Sequence, residues 1–187
     1  MKKLHFLIIG SNSFSGSHFV DHLLSLGHNV VGISRSKNMN NIFLPYKKNK
    51  DVKNFVFFKI DLNVDKDNDK IISLIKQFKI SHVVNFAAQA MVAESWLYPI
   101  DYYKTNVISL VNLTNKLIKY KLLKKFVHVS TPEVYGNITG MTNENTVYNP
   151  STPYAISRSC LDMHLMALKK NYNFPVVFTR AANVYGP

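Results

Sequence analysis

The chain has 187 residues, 47% of them hydrophobic, which is enough to bury a substantial core and short enough to argue for one domain, residues 1–187. Lysine and arginine outnumber aspartate and glutamate by 23 to 11, yet the lysines are scattered (Lys47, Lys48, Lys50, Lys66, Lys70, Lys121, Lys125), and no arginine-rich arm or aromatic-interleaved stripe marks a nucleic-acid binder. With a single cysteine, Cys160, and no apolar run of membrane-spanning length, a cytoplasmic protein without disulfides, membrane contact or a nucleic-acid partner is expected.

The opening MKKLHFLII has the charge of a signal peptide, but GSNS ends its apolar run at Ile9, too early for an h-region. LHFLIIG (4–10) therefore reads as a first strand. SGSHFVDHLLSLG (15–27) follows as a helix with Phe19, Val20, Leu23, Leu24 and Leu26 on one stripe and Gly27 as its C-terminal cap. NVVGIS (29–34) is a second strand, and the irregular residues 36–51 read as a loop. NFVFFKI (54–60) is a third strand, followed by a helix over 67–79 and a fourth strand at SHVVNFAA (81–88). One long helix is expected over 101–121, then a strand at KKFVHVS (124–130), a helix over 151–172 and a sixth strand at PVVFTR (175–180). Strands that are apolar throughout and alternate with helices imply a parallel sheet covered on both faces. The expected fold is an α/β doubly wound parallel sheet of Rossmann type, with strand order 3-2-1-4-5-6.

Within that frame GSNSFSG, residues 10–16, occupies the turn between the first strand and the first helix, where backbone N–H groups at a helix N-terminus can face a pyrophosphate. Gly10 permits the tight turn and Gly16 the close approach of helix and strand, while Ser13 stands where a middle glycine is usual. A serine fits there if its backbone is not left-handed. At the end of the second strand, Ser34 and Arg35 stand where NAD-binding chains carry an acidic residue for the ribose diol. Arg35 suits a 2'-phosphate, which favours NADP, with NAD as the alternative.

Several further motifs follow in order: Asp61-Leu62, NFAAQAMVAES, YYKTNV, VHVSTPEVYG, STPYAISRS and RAANVYGP. Together with GSNSFSG, this ordered set resembles the extended short-chain dehydrogenase/reductase family, in particular its nucleotide-sugar epimerases and dehydratases, over essentially the whole chain. The resemblance implies that Gly10, Asn12, Ser13, Phe14 and Gly16 form the cofactor turn and that Asp61 and Leu62 meet the adenine. It implies too that Phe86, Ala87, Ala88, Gln89, Thr105 and Val184 line the cofactor, and that Ala90 and Asn183 lie toward the substrate. Tyr154 would meet the cofactor and the reacting sugar hydroxyl, and Arg158 would stand beside its phenol and bind the nicotinamide ribose. Family members continue into a smaller C-terminal substrate domain, which is expected to be absent here, leaving a cofactor-binding fragment without catalysis as one alternative reading.

Oxidation of a sugar carbinol needs a base for the hydroxyl proton, and a tyrosine serves when a nearby cation favours its phenolate. Tyr154 and Arg158, four apart on a helix, share one face. The family pattern is Tyr-x-x-x-Lys, so a planar guanidinium replaces a compact ammonium. By the resemblance, Thr131 binds the same hydroxyl, and Glu133 is the base that removes the C5 proton in 4,6-dehydratases. Decarboxylases of nucleotide-linked uronic acids share that glutamate, whereas simple 4-epimerases generally lack it. Dehydratases acting on deoxythymidine-linked glucose typically have Thr-Asp-Glu; this chain has Thr131-Pro132-Glu133, closer to guanosine-diphosphate-mannose dehydratases, which also favour NADP. The histidines show no metal-ligand spacing with one another or with Cys160, and His128 reads as a packed core residue. The expectation is an NADP-dependent 4,6-dehydratase-like enzyme acting on a nucleotide-diphosphate sugar, with an epimerase or uronic-acid decarboxylase as the alternatives. NVISLVNLTNKLIKY and CLDMHLMAL are the expected homodimer faces.

Overall fold

The computed structural model describes residues 2–37 and 40–186. Strand β1 (His5–Ile9) leads through GSNS into helix α1 (Phe14–Ser25) and back to β2 (Asn29–Ser34). β3 (Phe55–Lys59), α2 (Asp65–Gln77) and β4 (His82–Asn85) complete the first half of the winding. Two short helices, α3 (Glu94–Leu97) and α4 (Pro99–Tyr103), then precede α5 (Ser109–Leu117), β5 (Lys125–Ser130), α6 (Pro153–Tyr172) and β6 (Val176–Arg180). All five strand pairings are parallel, in the order β3-β2-β1-β4-β5-β6. This is the doubly wound order the periodicity predicts. Strand order reverses between β1 and β4, which opens a crevice at the carboxyl ends of the strands.

Alternation along β1 divides the core. Leu7 and Ile9 face a cluster with Ile71, Ile75, Leu110, Leu113, Leu161 and Leu165, so α2, α5 and α6 cover one face of the sheet. Phe6 and Ile8 face the other, against Val20, Leu23 and Leu24 of α1.

Three expectations change. Residues 36–51 are not a simple loop: 3-10 turns at Asn41–Phe43 and Pro45–Lys48 pack onto α1, and Leu44 and Tyr46 are wholly buried in the second cluster. Asn38 and Met39, within that stretch, lie outside the described residues. The helix expected over 101–121 is broken into α4, a π-helical turn at Lys104–Ile108 and α5. Leu26, placed on the apolar stripe, is 45% exposed, because α1 ends at Ser25 and Gly27 turns the chain away with φ +78°. Among the described residues no helix is long and apolar enough to cross a membrane.

Candidate active site

The turn after β1 explains its own composition. Gly10 has φ +84°, and a Cβ there would meet the Ala87 nitrogen at 2.8 Å. A Cβ on Gly16 would lie 2.2 Å from the Gly10 carbonyl oxygen. Ser13, by contrast, has φ −71°, open to any residue, and its hydroxyl caps α1: Oγ accepts from the Gly16 N–H at 3.1 Å and donates to the Gly10 carbonyl at 2.7 Å. The serine closes the turn that a middle glycine would otherwise leave to backbone alone.

The turn opens onto a cleft of about 250 Å³ at the switch point. Gly10, Asn12, Ser13, Arg35, Asp61, Leu62, Phe86, Ala87, Ala88, Gln89 and Thr105, all named from the sequence, line it together with Ser34 and Asn63. Asn12 fastens its rim: the backbone N–H donates to Ser34 Oγ at 3.0 Å, and the side chain joins the Ser36 carbonyl at 3.4 Å and the Tyr46 hydroxyl at 3.3 Å. Burial pushes the Tyr46 phenol up to about 12, so it stays a donor. Arg35 is exposed at the mouth. Asn63 donates to Thr105 Oγ1 at 3.0 Å and accepts from Ser109 Oγ at 2.7 Å, tying the loop after β3 to the π-helical turn.

Phe14 and Val184 lie elsewhere, on a separate depression with Phe19, Phe86 and Tyr185. Ala90 and Asn183 are exposed. Sequence reasoning passed over Asn106, which the π-helical turn carries fully buried between the cleft and α6. Its amide accepts from Gln89 N–H at 2.8 Å and donates to the Gln89 carbonyl at 3.0 Å and to Ser157 Oγ at 2.9 Å. YYKTNV was the available signal, but the residue's role depends on partners 17 and 51 positions away.

At the other end of the crevice, β5 delivers Thr131, whose Oγ1 accepts from the Glu133 N–H at 3.3 Å. Thr152 caps α6, accepting from Ala155 N–H at 3.1 Å, with Pro153 as the first helical residue. That cap sets Tyr154 in the first turn, nearly buried, its ring edge to face with Tyr102 at 6.3 Å. Arg158 is buried to 2% exposure. Its Nη2 donates to the Val129 carbonyl and lies 3.3 Å from His128 Nε2, while Nε and Nη1 are buried with no partner among the described residues. Burial holds its pKa below the ordinary value, opposed by Tyr154 and Asp162, and a guanidinium stays charged regardless.

Behind it Asp162 Oδ2 accepts from Ser130 Oγ at 2.8 Å, Tyr148 at 3.0 Å and Arg180 at 3.0 Å. Burial raises the Asp162 pKa against the pull of those donors. His128 sits 3.6 Å from Asp162 Oδ1, yet burial, then Arg158 and Arg180, hold it well below its ordinary value and keep it neutral. Two guanidinium groups against one carboxylate leave this cluster with surplus positive charge. Among the described residues no group of three His, Cys, Asp or Glu side chains is arranged to hold a metal ion.

The parallel sheet, the glycine turn and the ligand crevice at the switch point define the class: a doubly wound α/β protein of dinucleotide-fold architecture. A family model described as GDP-mannose 4,6 dehydratase matches residues 7–187, and the chain belongs to that family. It is 32% identical to a dTDP-glucose 4,6-dehydratase of Xanthomonas campestris pv. campestris, over 97% of this chain and 53% of the relative. It is 31% identical to the Dictyostelium discoideum dTDP-D-glucose 4,6-dehydratase, over 97% and 44% respectively. Among solved structures, Thermotoga maritima UDP-glucose 4-epimerase with UDP-glucose superposes with a TM-score of 0.84 at 32% identity, covering 98% of this chain and 57% of that one. Bacillus anthracis dTDP-glucose 4,6-dehydratase in complex with NAD gives 0.83 at 32% identity, covering 98% and 56%. The chain thus spans about half the length of the curated relatives it matches.

Proposed function

We propose that the chain forms the cofactor-binding and catalytic half of an NADP-dependent nucleotide-sugar 4,6-dehydratase. The observation that carries this reading is the cleft: eleven residues named from five separate motifs converge on one crevice at the switch point. The residues fit a dinucleotide. Gly10 and Gly16 let β1 and α1 close into the tight turn at the cleft, where a Cβ would meet backbone. Arg35 stands at the mouth just beyond β2, where its guanidinium can pair with a 2'-phosphate. Phe14 and Val184 do not line the cleft but share a second depression with Phe86.

A nicotinamide dinucleotide held by the residues of the cleft would supply the hydride acceptor and donor for C4 and C6 of the sugar. The chain's residues do the rest. Tyr154 takes the O4 proton, and the buried Arg158 supplies the cation that favours its phenolate. Thr131 orients that hydroxyl. Glu133 takes the C5 proton once C4 is a ketone, and the C6 hydroxyl departs as water. Pro132 cannot donate a proton to that leaving group, so Glu133 or a water protonates it. Glu133 also favours dehydration over simple 4-epimerisation. The exposed apolar side chains of α6, Ile156, Met163 and Met166, together with Ile108 beside α5, form the face proposed for a homodimer.

Calorimetric titration with NADPH and NADH, repeated with Arg35→Asp, tests the cofactor reading. Preferential NADPH binding that weakens in the variant supports it. Binding of neither dinucleotide sinks it. Mass analysis of the sugar product separates the chemistries, since dehydration removes water, decarboxylation removes carbon dioxide and epimerisation changes nothing in mass.

A further inference from the structure

Arg180 leaves β6 on the side that faces α6. Its Nη2 lies 3.0 Å from Asp162 Oδ2, and its guanidinium stands over three rings, those of Tyr135, Phe178 and Tyr148, at 5.3, 5.4 and 5.5 Å. It also donates to the Tyr148 hydroxyl. Tyr135 and Tyr148 meet edge to face at 5.5 Å. Apart from Phe178, the members of this cluster are near neighbours in sequence of groups assigned to the chemistry. Ser130 precedes Thr131, Tyr135 lies two residues beyond Glu133 in the same 3-10 turn, Tyr148 lies six residues before Tyr154 in the segment that enters α6, and Asp162 lies one turn beyond Arg158.

Residues 137–152 have no regular secondary structure, and ordering such a stretch costs roughly 1–2 kcal/mol per residue in backbone entropy. Its far end is held. Asn149 N–H donates to the Val134 carbonyl at 3.0 Å, and the Asn149 carbonyl oxygen packs so closely on Gly136 that a Cβ there would stand 2.0 Å away. Tyr148 then drives its hydroxyl into the Asp162 carboxylate.

We propose that Arg180 is a positioning residue: with Asp162 and Tyr148 it clamps the Thr131–Tyr135 segment and the 137–152 loop onto α6, setting Glu133 and Tyr154 in fixed relation. This rests on the assignment of Thr131, Glu133 and Tyr154 to the reaction. The planar fork matters, because a compact ammonium can meet one carboxylate but cannot also stack on three rings.

The test is amide hydrogen exchange on the 187-residue chain, comparing wild type with Arg180→Ala and Tyr148→Phe. The clamp predicts exchange across 131–152 faster by about tenfold or more in both variants, with the 10–16 turn and β1 unchanged. Arg180 lines a cavity of about 550 Å³ beside Glu133 and Tyr135, so a small ion can reach its place. Millimolar guanidinium should restore protection in Arg180→Ala, and ammonium at the same concentration should not. Unchanged exchange over 131–152 overturns the proposal. So does a uniform rise over the whole sheet, which marks a general stabiliser, and so does equal rescue by ammonium, which reduces Arg180 to a counter-charge. Should Arg180→Ala not fold, Arg180→Lys carries the comparison, with the same local loosening expected. NADPH titration of the wild type runs in parallel: no binding sinks the cofactor reading and leaves the exchange result intact, whereas binding with unchanged exchange sinks the clamp alone.

Discussion

At the scale of single residues, the GSNSFSG turn shows which glycines geometry requires. Gly10 and Gly16 are fixed by contacts below 3 Å that any Cβ would create, whereas Ser13 occupies ordinary backbone space and gains a cap. Gly16→Ala should therefore destabilise by roughly 1–3 kcal/mol or more through overpacking against the Gly10 carbonyl, read as a lowered urea midpoint. Ser13→Ala should cost about 1 kcal/mol through the lost cap, and Ser13→Gly only a few tenths. Equal losses at the two positions would contradict this division. Arg158 teaches a different lesson. Spacing put Tyr154 and Arg158 on one helical face, and the structure keeps them close enough to interact. But the guanidinium spends one nitrogen on the Val129 carbonyl beside His128, contacts that helical periodicity could not reveal.

At the scale of elements, the six strands and the long helices follow from local pattern, because apolar period and capping residues are carried by neighbours in sequence. α6 is the clearest case, with Thr152, Pro153 and the left-handed Asn173 marking both ends. The two elements that pattern misses are decided by distant partners. Residues 36–51 read as an irregular loop, yet Leu44 and Tyr46 are wholly buried in the core cluster with residues of α1 and β2. Leu44→Ala should cost on the order of 2–5 kcal/mol, measured by denaturant unfolding; a change within experimental error would show that this connection merely rests on the core. The π-helical turn interrupts a sequence that reads as uniform helix, and it places Asn106 between Gln89 and Ser157. π-turns of this kind recur at functional sites. Asn106→Ala should leave buried polar groups unpaired at about 1–3 kcal/mol each and loosen the 86–89 wall. Cofactor affinity should fall with stability, whereas Asn106→Ser, which keeps a hydroxyl, should recover part of both.

For the whole molecule, buried histidines set the response to acid. Burial is the first cause lowering the pKa of His28, His82 and His128, reinforced at His82 by Lys124 and Lys125 and at His128 by Arg158 and Arg180. A folded-state pKa below the free value of 6.5 means that the unfolded chain binds protons the folded chain refuses. Stability should thus be full above pH 6.5 and fall as the pH drops below it. Urea midpoints measured at about pH 7.5 and about pH 5.5 check the sign, and His28→Gln should flatten the difference. A midpoint that rises on acidification would refute the linkage.

The sequence by itself determined the sheet order, the glycine turn after β1 and the family, because apolar periodicity, turn residues and the order of short motifs are all carried by neighbours in the chain. Only the tertiary structure decided how Arg180, Asp162 and Tyr148 meet, where Asn106 reaches, and what Leu44 and Tyr46 cover. These are pairings between residues far apart in the chain, whose value lies in desolvation and close contact that exist only once the sheet has closed around them.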